Sequence, residues 1–96
     1  MNVIYKYELK PVRGTAEIEV MMPFGAAVLQ AGVQGEDIFI WAQIDDTEKT
    51  NENRLFEVYG TGHEMLADYV ERRTFVNTVF LGPLVFHVFQ IGETGT

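Results

Sequence analysis

The sequence predicts an all-β domain, a small β-sandwich or barrel of about seven short strands with one short helical turn. Three observations predict it. Apolar residues recur at every second position through most of the chain, the period of a half-buried strand. Glycine and proline interrupt this pattern at spacings typical of hairpins and sandwich loops. The 96 residues contain neither a repeat nor a composition break, so residues 1–96 read as a single domain.

Taken in order, Val3, Tyr5, Tyr7 and Leu9 share one side of a first strand, against Ile4, Lys6 and Glu8. Pro11 and Gly14 turn the chain into Thr15 to Met21, with Ala16, Ile18 and Val20 facing in and Glu17 and Glu19 facing solvent. After Pro23-Phe24-Gly25, the strands Ala27 to Gln34 and Asp37 to Ile44 form a hairpin across Gly35-Glu36. The second of these places Ile38, Ile40, Ala42 and Ile44 on one face and Phe39 and Trp41 on the other. A strand apolar on both faces lies between two layers or against a partner subunit. Asp45 to Asn53 is polar throughout and reads as the most mobile loop. Leu55 to Tyr59 resumes the strand pattern, Gly60 to His63 turns, and Glu64 to Val70 holds the helical turn. Thr74 to Leu81 and Leu84 to Ile91 flank Gly82-Pro83 as a last hairpin, before a Gly-Glu-Thr-Gly-Thr tail expected to fray.

Composition removes several classes of function. The chain has no cysteine, which excludes disulfides and thiolate metal sites. Its formal net charge of -7 opposes binding to a nucleic acid polymer, which needs Lys and Arg against phosphates. No apolar run approaches transmembrane length, and the N-terminus lacks the pattern of a signal peptide. A cytoplasmic protein without membrane contact is expected. A chain this short also commonly extends its core by homo-oligomerisation.

The two histidines, His63 and His87, and the glycines before His63 invite three functional readings, and each lacks a part. A two-histidine phosphodiesterase needs a Ser or Thr two residues after each histidine, whereas Met65 and Phe89 stand there. A metal site would need a third ligand such as Glu64 or Asp68, and the spacing fits no zinc signature, so no metal is expected. Gly60-x-Gly62 leads toward Glu64 rather than into a phosphate-binding helix, so it reads as a turn requiring positive φ. The structural alternative for His87 is a sandwich-facing ring bonded to backbone. Asp45, Asp46, Glu48 and Glu52 do not follow a calcium-loop spacing. No catalytic residue and no cofactor are expected.

What remains is a set of aromatic, basic and polar residues suited to a small anionic ligand such as a signalling nucleotide: Tyr5, Trp41, Arg54, Tyr59, Thr61, His63, Arg72, Arg73, Phe86 and His87. Rings stack on bases and guanidinium forks grip phosphates. Burial explains the same aromatics without a ligand, with the arginines balancing carboxylates. Both readings stand on residues alone.

Five segments carry a further likeness: Ile4 to Leu9 (I-Y-K-Y-E-L), Ala31 to Gln34 (A-G-V-Q), Trp41-Ala42, Gly60 to His63 (G-T-G-H) and Val85 to Phe89 (V-F-H-V-F). In this order the chain resembles a family of small, uncharacterised phage- and prophage-encoded proteins. The resemblance implies a compact accessory protein acting in the host cytoplasm. It raises the expectation of a non-catalytic anti-defence protein that sequesters a nucleotide immune signal. The alternative is a protein–protein inhibitor of a host factor or a minor structural phage protein.

Overall fold

The computed structural model describes residues 1–67 and 70–92. Seven strands form two antiparallel sheets: β1 (Asn2–Glu8), β2 (Glu17–Pro23), β3 (Ala27–Gln34), β4 (Asp37–Asp45), β5 (Asn51–Gly60), β6 (Arg73–Leu81) and β7 (Leu84–Ile91). One sheet has the order β1-β4-β3, the other β2-β5-β7-β6. The expected all-β architecture is present as a sandwich rather than a closed barrel, because β1 and β2 end their sheets unpaired with each other. The helical turn lies at Val70–Arg72 and is 3-10 in form, later than expected. Asp68 and Tyr69 fall outside the described residues, as does the tail beyond Gly92.

Alternation builds the core. Ile38, Ile40, Ala42 and Ile44 of β4 face Ile18, Val20 and Met22 of β2, Phe56 of β5, and Val79 and Val88 of the last hairpin. Phe56, Ile40, Ala42 and Val88 are fully buried. The two hairpins close on two-residue turns, Gln34↔Asp37 and Leu81↔Leu84. Gly82 has φ 59 and Pro83 follows, which matches a type II′ turn whose twist suits the flanking strands.

The polar segment after β4 is shorter than its composition suggests. Asn51, Glu52 and Asn53 pair with Pro23, Met22 and Met21. Polar residues are accepted here because Glu52 receives the Gly25 N–H (3.1 Å) and meets the Arg54 guanidinium (3.3 Å). Only residues 46–50 lie between the strands.

Two bulges join the sheets. In β6 the register shifts between Phe75 and Asn77, so Val76 and Asn77 both oppose Val88. In β3 it shifts between Val28 and Gln30, leaving Leu29 and Gln30 opposite Trp41. Asn77 then reaches β3 as a backbone would: its Oδ1 accepts the Ala31 N–H (2.7 Å), and its Nδ2 donates to the Ala31 carbonyl (2.9 Å). The Asn77 amide thus hydrogen-bonds across the β3–β6 seam. The β1–β2 side stays open.

Candidate functional site

The outer face of the four-stranded sheet gathers the most chemistry. Leu55, Glu57 and Tyr59 of β5 alternate outward, opposite Ile91, Phe89 and His87 of β7. β6 adds Arg73, Phe75, Thr78 and Phe80 on the same face. The segment 61–67 returns over the Tyr59 side, where the Leu66 N–H donates to the Tyr59 hydroxyl (3.1 Å). Burial, first, raises the Tyr59 pKa above the ordinary phenol value, with Glu57 adding to it and the Leu66 hydrogen bond opposing.

Beneath this loop Glu57 is completely buried. Its Oε1 accepts a hydrogen bond from Arg73 Nε at 2.6 Å, and that bond holds the guanidinium pKa above its usual value. Oε2 has no hydrogen-bond partner among the described residues. Arg73 also donates to the Leu66 carbonyl (2.8 Å), tying loop to sheet, and lies 5.8 Å from the Tyr59 ring centre and 6.0 Å from that of Phe89. Arg72 donates to the Gly92 carbonyl (2.9 Å), and the Gly92 N–H returns a bond to the Arg72 carbonyl (2.8 Å). The first residue of the tail is therefore held.

His87 sits mid-face, between two hydroxyls. Thr61 Oγ1 is 2.8 Å from Nε2, and Thr78 Oγ1 is 2.8 Å from Nδ1. A neutral imidazole satisfies both, donating through one nitrogen and accepting through the other. The ring thus faces outward and bonds to side chains, rather than facing the sandwich and bonding to backbone. Along the same face, Phe75 and Phe89 pair with ring centres 5.4 Å apart, and Phe89 meets Tyr59 edge-on at 6.1 Å. Phe75 and Phe80 are 54% and 67% exposed, so an aromatic strip reaches solvent beside His87.

A domain of unknown function (DUF7352) matches residues 1–95. The chain belongs to the DUF7352 family. No curated protein and no solved structure matches it. The family assignment covers both sheets and every residue of the outer-face site.

In this DUF7352 domain the ten residues suggested by composition divide among six places. Tyr59, Thr61, Arg73 and His87 come together on the outer face, with Arg72 at its margin. His63 does not join them. Its ring lies within 2.8 Å of the position a Gly60 Cβ would take, and strand alternation puts that position on the Val58 side of β5. The two histidines are therefore on opposite faces of one sheet. A Cβ at 60 would displace the His63 ring, while Gly62 supplies the positive φ of the turn (88°).

The other four lie elsewhere. Phe86 alternates inward and lines a cavity of about 230 Å³ at one end of the core, with Leu9, Ile38, Val58 and Leu81. Phe86 does not share a face with Tyr59, because Phe86 and His87 are neighbours on a strand and point oppositely. Arg54 is also turned inward, bonded to Glu52, the Ala26 carbonyl and Gln90 Oε1 (3.5 Å), and it closes the other end of the sandwich. Trp41 lies over Gly32 on the outer face of the three-stranded sheet, 6.4 Å from Phe39. Tyr5 is 52% exposed on the edge strand β1.

Composition missed Glu57, Phe75, Thr78 and Phe80. One sequence signal was present: Glu57 interrupts the otherwise apolar face Leu55, Tyr59, which calls for a buried cation. Phe75, Thr78 and Phe80 carried no such signal, since their common face depends on the Val76 bulge. Among the described residues no cluster of three metal-ligating side chains occurs, and no helix is long and apolar enough to cross a membrane.

Proposed function

We propose that this DUF7352 domain is a non-catalytic binding protein whose ligand-bearing surface is the outer face of the four-stranded sheet. The single observation that carries the reading is His87, held at both ring nitrogens in the middle of an aromatic strip. Hydroxyls 2.8 Å from both nitrogens fix the orientation of the ring within the strip, which suits it to recognise a ligand. Exposed Phe75 and Phe80 offer stacking surface to a planar base. Arg72 and Arg73 lie at the Phe75 end, where a phosphate would fall, with the charge of Arg73 partly offset by Glu57. A signalling nucleotide fits this chemistry, and a phage-encoded protein that sequesters such an immune signal in the host cytoplasm is the role we assign. Calorimetry against a panel of cyclic dinucleotides and linear nucleotides tests it. One or more should bind and be recovered unchanged after heating the complex. Phe75→Ala should weaken binding by roughly tenfold or more, given about 1–3 kcal/mol per stacked base. Absence of binding across the panel, or an altered ligand, overturns the reading.

A second reading, association with another copy, is favoured by the outer face of the three-stranded sheet. Ile4 and Leu29 are 60% and 50% exposed there beside Trp41. Between its ends this face carries one charge of each sign, Lys6 and Glu8, so two copies of an acidic chain can meet on it with these charges facing one another.

A further inference from the structure

We infer that the open edge of β2 is a docking strip for an extended segment of another protein in which basic and apolar residues alternate, received as an eighth strand. The backbone geometry comes first. The Val58 N–H donates to the Ala16 carbonyl (3.1 Å), and the Phe24 N–H donates to the Thr50 carbonyl (2.8 Å). In an antiparallel ladder this parity means that the even-numbered residues of β2 bond to β5. The N–H and carbonyl groups of Glu17, Glu19 and Met21 therefore point to the open side, where β2 ends its sheet. The Glu17 N–H is taken by Thr15 Oγ1 (3.0 Å), leaving Glu19 and Met21 as the edge's donors. Pro23 has the same parity, so its missing N–H costs no ladder bond and marks the end of the strip.

A groove of about 540 Å³ runs beside this edge. Ile18 and Val20 lie against it on one side, and Lys10 and Val12 wall it on the other. Val12 and Met21 are 54% and 55% exposed, which leaves apolar surface for alternate side chains of an incoming strand. The lining also holds the carboxylates of Glu8, Glu17 and Glu19 against the single ammonium of Lys10. Opposite-charge cross-strand pairs stabilise a sheet and like charges destabilise it, so Lys or Arg belongs opposite Glu17 and Glu19. A second copy brings its own charge of -7 and the same carboxylates to this edge, which argues against self-pairing here.

The test uses the full chain and a fluorescent peptide of alternating lysine and valine, matched to the 7 residues of β2. Binding should be seen at low salt and weaken with added salt. A peptide of the same composition with lysines at one end and valines at the other should bind at least about tenfold more weakly, as should an alternating glutamate–valine peptide. Met21→Pro removes an outward N–H without touching the β5 ladder, and Glu19→Lys reverses the facing charge; each should reduce affinity by about tenfold or more. Circular dichroism checks that Met21→Pro folds, and Glu19→Lys decides the matter if it does not. The inference is overturned by no binding, by equal binding of the block peptide, or by wild-type affinity in the folded variants. A wild-type dimer made monomeric by Glu19→Lys would assign the edge to a second copy and overturn it equally.

Discussion

Glu57 and Arg73 show what a single buried charge demands. The carboxylate is fully excluded from solvent, and one guanidinium nitrogen at 2.6 Å, itself on a side chain only 10% exposed, compensates one of its oxygens. Removing one partner of such a pair leaves a buried charge without compensation, which costs about 3–5 kcal/mol. Arg73→Ala should therefore lower stability by about that amount in urea denaturation. Glu57→Gln keeps shape and removes the charge, so it should cost less, and the double variant Glu57→Gln/Arg73→Ala should recover part of the loss of Arg73→Ala. A cost below about 1 kcal/mol for Arg73→Ala would mean that the pair behaves as a surface ion pair. The charge at Glu57 was legible in the strand L-F-E-V-Y. Its partner was not, because 16 residues of chain separate Arg73 from Glu57.

Between elements, the decisive contact is Asn77 against Ala31. β3 and β6 are edge strands of different sheets, and the Asn77 amide supplies the donor and acceptor that a neighbouring strand would have given. Ala31 is 1% exposed, so without Asn77 its N–H and carbonyl would be buried and unpaired. Asn77→Leu should cost about 2–4 kcal/mol by thermal or chemical denaturation, since each orphaned group costs about 1–3 kcal/mol. Asn77→Asp keeps the acceptor and loses the donor, so it should also destabilise. A neutral outcome for both would show that packing alone holds the seam. The strands themselves were predicted within a few residues at most ends, apart from the early start of β5. The bulges were not, because Val76 and Leu29 fit the flanking apolar patterns and only pairing reveals the extra residue.

At the scale of the whole molecule, a sandwich closed by Asn77 on one side and open between β1 and β2 on the other keeps two free edges and one nearly uncharged apolar face. If copies associate through the face around Trp41, light scattering should give a mass near twice 10.9 kDa, and Leu29→Glu should return it to the monomer. A monomer at every concentration tested would remove that reading and leave the face to another partner. The exposure of Ile4, Leu29 and Phe39's outer row follows from folding one sheet only three strands wide, with no layer outside it.

The sequence by itself determined the all-β class, the two tight hairpins, the inward and outward rows of β2 and β4, and, having no cysteine, the absence of disulfides. These depend on local periodicity and composition, which a chain carries whatever its neighbours are. Only the tertiary structure decided that His63 and His87 lie on opposite faces, that Arg54 and Phe86 turn into the core, and that Phe75, Thr78 and Phe80 share a surface with His87. Each of these depends on register between strands distant in sequence, and a single inserted residue, such as Val76, reverses which side chains share a face.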